Sequence, residues 1–581
     1  MTSFKAFHPG ARAWRSCAAA LCSTFLLLSA CAELPQNVER PVSKALASPA
    51  GTALATLVQQ RRQAASTRYE SGFMLLDGPQ AAYGSRLALA EGATKTLDLQ
   101  YYAIHADAST ERLLAAVRDA AARGVRVRIL LDDFHSTGRN ASVMRLAFVQ
   151  NIEMRMFNPV PGSRGSSLAR MFNSIEDASR IQQRMHNKLF IADNVLGVTG
   201  GRNLGDAYFG NAQAGNFVDM DVLAAGPIVQ DLSRSFDTYW NNERAYPVQS
   251  LVTREEVEAL RKETPGNHEK EANSGAPRPP DGEPRPRKAE PTAEQQARAW
   301  DEKAMDLGSA SFIWAPAAVL VDKPAKIPAD SPGGPDTGKA PGLVVAQKGQ
   351  AKTAAAPSGS LGGAAAAASN GDTVVEGLLQ MIGRAQTDLL IISPYFVPGP
   401  DMKHAFASAL ARGVKIRVLT NSLASNDAPL AHVGYARHRE ELLAMGIGLY
   451  ELRSEQAGLG SAFGSAGGST GESRSMLHSK VLVMDGRLLV VGSMNLDLRS
   501  QLQNTEIALL IRSDELSRIA AGQIEAAMAK GAWRVEQSKG RLVWRAPQDS
   551  GLEDSTTDPD ASVGLRLLLR LFGPLAPDKL L

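Results

Sequence analysis

The chain has 581 residues, 44% of them hydrophobic, with 63 Lys and Arg against 60 Asp and Glu for a formal net charge of +3. That length and apolar share suffice for two ordinary domains, and the balanced charge gives no ground for expecting nucleic acid as a partner. All three cysteines, Cys17, Cys22 and Cys31, lie at the N-terminus, which excludes a disulfide framework or a cysteine metal site further along.

In chain order, Lys5, Arg12 and Arg15 precede an apolar run from Ala18 to Ala30 that is too short to span a bilayer comfortably. Leu28-Ser29-Ala30-Cys31 has the form of a lipoprotein cleavage box, so residues 1–30 are expected to be a signal peptide and Cys31 the lipidated residue. That places the mature protein in a bacterial cell envelope, anchored on the periplasmic side, and Ala32 after the cysteine favours the outer membrane. Next, Lys95–Ile104 reads as a strand, followed by an amphipathic helix, a Gly stop and the strand within Arg123–Asp133. Thr387–Phe396 and Arg412–Ser422 repeat that order. Strand, helix, Gly stop, strand is a βαβ signature, so two pseudo-symmetric α/β sandwich domains are predicted, at 60–260 and 373–547. Each should carry a mixed, mostly parallel sheet flanked by helices, with the site between the halves.

Between the domains, residues 261–372 are expected to be a long, flexible insertion, Pro- and charge-rich over Glu263–Gln296 and Pro-, Gly- and Ala-rich over Pro328–Asn370. Within it Ser309–Ile327 regains apolar character and predicts a strand at the domain junction. Gly458–Gly471 reads either as a mobile loop over the site or as an indifferent surface loop. In the tail, 548–581, Gly564–Phe572 sets Arg566 and Arg570 among leucines, which suits a membrane-surface helix or one packed into the fold.

One string recurs. RMHNKLFIADNVLGVTGGRN and MLHSKVLVMDGRLLVVGSMN both place Lys two, Asp seven, Gly fourteen and Asn seventeen positions after His. In each copy two apolar β-prone runs flank Asp193-Asn194 or Asp485-Gly486, the pattern of a β-hairpin with a two-residue turn. Side chains two apart on a strand share a face, so His186 and Lys188 point one way, as do His478 and Lys480. Gly200-Gly201, matched by Gly492-Ser493, leaves room for close approach to the backbone, and Asn203 or Asn495 then offers an amide. Two such half-sites suit a phosphodiester: one His attacks phosphorus, the other protonates the departing alcohol, and Lys and Asn neutralise the phosphoryl oxygens. On that reading the chemistry calls for no metal and no cofactor. Asp193 and Asp485, in the turns, are expected to be structural. Each motif is followed by an acid at a strand entry, Asp219 after the first and Glu506 after the second; such a carboxylate can hold the far ring N–H of a catalytic His. Asp221 stands between that role and a solvated strand end.

Both copies resemble the HKD motif of the phospholipase D superfamily. GGRNLGDAYFG (200–210), FVDMDVLAAGP (217–227), FDTYWNN (236–242), ISPYFVPG (392–399) and the run from Asn421 to Ile447 resemble its bacterial cardiolipin synthases, the C-type branch. The resemblance implies phospholipase D-like domains, Asp219 serving His186 and Glu506 serving His478, His186 as nucleophile and His478 as acid and base. It also implies phosphatidyl transfer between membrane phospholipids through a phosphohistidine, making cardiolipin from phosphatidylglycerol, phosphatidylethanolamine or both. With water as acceptor, the same site would be a phospholipase D or another phosphodiesterase or nuclease. His432 and His438 flank a family-like loop and are expected near the pocket; His105, His135 and His404 suggest no metal spacing.

Overall fold

The computed structural model describes residues 34–161, 164, 182–212, 215–262, 303–327, 343–346, 361–454 and 474–572. The expected signal peptide with Cys31, most of the insertion and Gly458–Gly471 lie outside the described residues.

The first half supplies strands β1 (Gly72–Leu76), β2 (Thr96–Tyr101), β3 (Arg126–Asp132), β4 (Ile152–Phe157), β5 (Leu189–Ala192), β6 (Leu196–Gly200), β7 (Gly215–Val218), β8 (Asp221–Ala225) and β9 (Ala245–Pro247). A junction segment carries β10 (Ile313–Trp314), β11 (Ala317–Asp322) and β12 (Leu343–Ala346). The second half supplies β13 (Asp388–Ile392), β14 (Phe396–Val397), β15 (Lys415–Asn421), β16 (Gly448–Leu452), β17 (Arg474–Leu477), β18 (Val481–Met484), β19 (Leu488–Gly492), β20 (Leu496–Asp497), β21 (Ile507–Arg512), β22 (Ala532–Ser538) and β23 (Arg541–Arg545). Two large sheets result, ordered β10-β1-β8-β6-β5-β2-β3-β4-β9 and β12-β11-β21-β19-β18-β13-β15-β16-β22-β23. From β1 to β9 and from β11 to β22 the two orders match strand for strand, so the internal repeat extends to the whole sheet.

The sheets are mixed, as expected, but the expectation of mostly parallel pairing needs correcting. Within the two large sheets parallel pairing is confined to β2-β3-β4 and β13-β15-β16, where helical crossovers return the chain to the same end. The motif hairpins and the strands beyond them pair antiparallel. The crossover helix α1 (Ala108–Ala122) is capped by Asp107, whose side chain accepts from Thr110 N, and Gly124 follows at φ +91°. In the second half α2 (Pro400–Ala411) is followed by Gly413 at φ +86°, the same left-handed exit.

One apolar layer lies between the sheets and draws on both halves: Leu189, Val222 and Phe236 meet Val481, Leu489, Leu509 and Ile524. Burial of each such side chain contributes about 1.5–3 kcal/mol, so neither half is complete without the other. The junction segment stitches the halves together, because β10 extends the first sheet and β11, three residues on, enters the second. The insertion is also less irregular than its composition suggests. β12 pairs with β11, and the Ala-rich Leu361–Ala368 forms a helix whose buried Leu361, Ala365 and Ala368 join the outer core of the second half. Alanine is the best helix former, and its small side chain permits close packing. Asp221 is no solvated strand end: it is fully buried and paired with Arg86 at 2.8 Å and Arg202 at 3.3 Å.

The motif aspartates occupy the hairpin turns at φ +49° and +53°. Asp193 accepts from the backbone N–H groups of Thr94, Lys95 and Thr96, and Asp485 from those of Gln386, Thr387 and Asp388. Each thus ties its hairpin to the start of the first parallel strand. Asp193 is fully buried and Asp485 is partly open to solvent. Asp193→Ala is therefore expected to lower stability by roughly 2–4 kcal/mol, and by more than Asp485→Ala, in urea unfolding. Since the two share turn geometry, equal losses would argue against burial as the cause.

Candidate active site

Both motif histidines sit in short segments just before a hairpin strand, and each segment is held from its own half and from the other. On its own side, the residue closing the central parallel strand does the holding. Asp132, at the end of β3, accepts from Met185 N at 2.9 Å; Asn421, at the end of β15, both donates to Leu477 O at 2.9 Å and accepts from Leu477 N at 2.8 Å. From across the interface, His186 N donates to Thr505 O and His478 N donates to Val218 O, each at 2.9 Å. β7 and β17 pair in parallel to form a small sheet that bridges the halves.

This exchange decides which carboxylate serves which imidazole. His478 Nδ1 lies 2.7 Å from Asp219 Oδ2, and His186 Nδ1 lies 3.0 Å from Glu506 Oε2. The pairing that the family resemblance implied, Asp219 with His186 and Glu506 with His478, is overturned. Asp219 follows β7 and Glu506 follows Thr505, the two segments that cross to the opposite motif, so each acid is carried to the partner half's histidine.

The two dyads are built differently. Glu506 Oε2 accepts from Ser493 Oγ at 2.5 Å and its Oε1 from Ser500 Oγ at 3.0 Å. Asp219 Oδ1 accepts from Met220 N at 2.8 Å, and Gly201 stands where Ser493 does; a Cβ there would fall 2.5 Å from Asp219 Oδ1. Ser493 thus does more than terminate a strand, and Ser500 carries no signal in the repeat.

Lys188 Nζ donates to His186 O at 2.6 Å and Lys480 Nζ to His478 O at 2.5 Å, which leaves further N–H donors on each for a ligand. Asn203 donates from Nδ2 to the Tyr208 hydroxyl at 3.0 Å and accepts from Ala103 N at 3.2 Å; Asn495 Oδ1 is buried without a hydrogen-bond partner among the described residues. Aromatic rings wall both histidines, Tyr102 at 5.1 Å from His186 and Tyr208 and Phe217 at 5.3 and 5.0 Å from His478. Phe134 and His135 pack on Tyr102 in turn. The places of these rings could not be read from the motif, because no spacing rule links them to it. His432 does not line the pocket; it is buried against Arg439 and Asp558.

Burial sets the electrostatics. It pushes His186 down to about 4, against the pull of Glu506, and His478 down to about 3, where the Lys480 charge adds to it. Both imidazoles are therefore neutral near pH 7. Burial likewise lowers Lys188 to about 7 and Lys480 to about 8 despite the nearby carboxylates. Burial opposes ionisation of Glu506 too, but His186, Lys188 and Ser493 together bring it down to about 2. Lys188 and Lys480 each feel the charges of both Asp219 and Glu506, so the two half-sites form one electrostatic unit.

Duplicated His-Lys pairs with cross-held imidazoles on a doubled α/β scaffold define an enzyme of the phospholipase D superfamily. A sequence model described as "Cardiolipin synthase, PLD-like domain" matches residues 87–240 and 378–528, and the chain belongs to that family. It is 33% identical to cardiolipin synthase C of Escherichia coli (strain K12) over 517 residues, 88% of this chain and 96% of that one. It is 26% identical to cardiolipin synthase A of Erwinia tasmaniensis over 420 residues, 71% of this chain and 58% of that one. The fold is similar to the crystal structure of phosphatidylserine synthase from Haemophilus influenzae, with a TM-score of 0.50 at 13% identity, covering 90% of this chain and 98% of that one.

The crossed pairing has a spectroscopic consequence. A carboxylate on Nδ1 favours the imidazolium, so Glu506→Gln should lower the titration midpoint of His186 and leave that of His478 in place. Asp219→Asn should do the reverse. Histidine NMR titration reads both, and the opposite assignment would restore pairing within each half.

Proposed function

We propose that this protein is a phosphatidyltransferase that makes cardiolipin or a closely related lipid from phosphatidylglycerol, phosphatidylethanolamine or both, through a phosphohistidine. The observation that carries the reading is the pair of buried His-carboxylate dyads flanked by two lysines. It supplies one neutral imidazole as nucleophile, a second as proton carrier, and cations for the phosphoryl oxygens. The relatives' names add support for the lipid substrate.

In the first step the neutral imidazole of His186 attacks phosphorus; the N–P bond forms as the P–O bond to the departing alcohol breaks, and His478 gives that oxygen a proton. An entering phosphodiester places a negative charge between the histidines, which favours protonation of His478 as the substrate binds. Glu506 stabilises the positive charge that develops on His186, and Asp219 holds His478 in the tautomer that presents Nε2. In the second step His478 takes the proton of an acceptor alcohol, the P–N bond breaks, and the original states return. Water in place of the alcohol would make the protein a phospholipase D, the alternative reading.

A membrane tether fits this substrate. The lipoprotein box at Cys31 would anchor the chain, and helix α10 (Val563–Phe572) presents exposed Val563, Leu567 and Leu571 while Leu565 packs against Leu423 and Val433. The other α-helices are α3 (Pro227–Trp240), α4 (Leu361–Ala368), α5 (Val374–Ile382), α6 (Pro429–Met445), α7 (Leu498–Leu502), α8 (Asp514–Gly531), α9 (Arg254–Lys262) and two that precede α1 in the first half, Ala53–Ala64 and Pro79–Gly92. No helix among the described residues is long and apolar enough to cross a membrane.

Incubated with phosphatidylglycerol, with and without phosphatidylethanolamine, the protein should yield cardiolipin by mass spectrometry. Phosphatidic acid alone would replace transfer by hydrolysis, and cleavage of DNA with inert lipids would refute both lipid readings. His186→Ala and His478→Ala should each reduce turnover by at least about 1,000-fold, and only the His478 variant should retain the nucleophile needed to trap a phosphoenzyme.

The lysines predict the pH profile. Both must be charged to hold the phosphoryl group, and their free-site values are about 7 and 8. kcat/KM, which reports the free enzyme, should therefore fall more steeply with rising pH once pH passes 7–8, beyond the shallower decline that proton uptake by His478 on binding imposes at lower pH. A flat profile to pH 10 would remove the lysines from that role.

A further inference from the structure

The duplicated motifs account for two lysines, yet two more cations flank only the His186 side. Arg184 precedes His186 by two positions and is fully buried. Its Nη1 donates to Asp132 Oδ1 at 3.3 Å, while Nε and Nη2 have no hydrogen-bond partner among the described residues. Arg499, half-buried in α7, likewise has an Nε without one. Backbone bonds bring the two together: Thr505 N donates to Arg184 O, and Asn504 N donates to Arg499 O, both at 2.9 Å. Both guanidinium charges bear on the Tyr102 hydroxyl and on His135, and Tyr102 lies against His186.

The repeat makes this pair conspicuous. The residue matching Arg184 is Met476, and the residue matching Arg499 is Ala207, so the His478 side carries neither cation. On that side Asp427 accepts from the Tyr395 hydroxyl at 2.8 Å, and its charge bears on Lys480. Carboxylates near the arginines are already engaged. Asp132 accepts from Phe134 N and Met185 N as well as from Arg184, Asp133 pairs with Arg164, and Glu506 is held by His186, Ser493 and Ser500. A buried guanidinium with idle donors is costly unless a ligand anion meets it. Phe134, 38% exposed and 5.6 Å from the Arg184 guanidinium, marks where the pair approaches the surface.

We propose that Arg184 and Arg499 form a second anion subsite, on the His186 side of the pocket, that binds the phosphate of an acceptor phospholipid and so favours an anionic lipid alcohol over water. The inference rests on the phosphatidyltransferase reading for the identity of its ligand, though not for the existence of the subsite. With phosphatidylglycerol vesicles as sole substrate, cardiolipin and phosphatidic acid arise from one shared phosphoenzyme, so their ratio reads acceptor binding alone. Arg499→Gln and Arg184→Gln should each lower the ratio about tenfold, the order expected for a lost charge-assisted hydrogen bond. Arg499, being half-buried, keeps the test open if Arg184→Gln fails to fold.

Calorimetric titration of the full-length protein with inorganic phosphate gives the readout free of turnover: two ions bound by the wild type, one by each variant. A single ion in the wild type, or two ions still bound by both variants, overturns the subsite. Two ions with an unchanged ratio would assign the subsite to free phosphate and overturn the lipid acceptor. If the wild type forms no cardiolipin, the phosphatidyltransferase reading fails and the phosphate stoichiometry still decides the subsite.

Discussion

Everything in the site depends on two hydrogen bonds that cross the interface, His186 to Glu506 and His478 to Asp219. Each imidazole is borne by one half and oriented by the other. The backbone bonds from His186 to Thr505 and from His478 to Val218 fix the same exchange one residue earlier, so the carboxylates cannot approach unless the halves are docked. Docking in turn is a matter of apolar burial, since Leu189, Val222, Val481 and Leu509 share one core layer between the sheets. Catalytic geometry and the cohesion of the two domains thus have a common origin.

The repeat made much of this legible. A hairpin with Asp at its turn, a His and Lys on one face and Asn beyond the second strand can be read from residue type and spacing, because strand periodicity and turn chemistry are local. The partner of each imidazole could not be read in that way. Asp219 lies 33 positions after His186 and 259 before His478, and proximity along the chain favours the wrong histidine. What decides the pairing is the parallel contact of β7 with β17, a tertiary choice with no signature in either segment. Similar reasoning applies to the strand pattern. The βαβ signal correctly marks β2-β3 and β13-β15, but the antiparallel strands beyond have no crossover helix to announce them. In the insertion, composition pointed to irregularity, whereas a short Ala-rich segment needed only a flat neighbour to become a packed helix.

The symmetry of the scaffold also brings its asymmetries into view. Strand order, turn aspartates and His-Lys faces are duplicated, but Glu506 is braced by two hydroxyls where Asp219 has a backbone amide and a glycine beside it. The longer acid serves the histidine on the side of Arg184 and Arg499; the shorter one serves a histidine whose Lys480 feels the charge of Asp427. Two half-sites with the same reactive atoms therefore sit in different surroundings. A phosphodiester that enters such a pocket meets two histidines equivalent in bonding and unequal in surroundings, which is what a two-step exchange requires if one imidazole is to carry the phosphoryl group and the other the proton.

Burial then does the rest of the tuning. A solvated lysine pair would stay charged well beyond neutral pH, but in this pocket the lysines are held near neutrality and the imidazoles are kept neutral. Adding an anion reverses both trends at once, since its charge favours protonation of every cation around it. On the proposed mechanism the substrate thus completes the charge pattern that its own reaction needs, and the free enzyme is spared the full cost of holding four cations against two carboxylates in a low-dielectric interior.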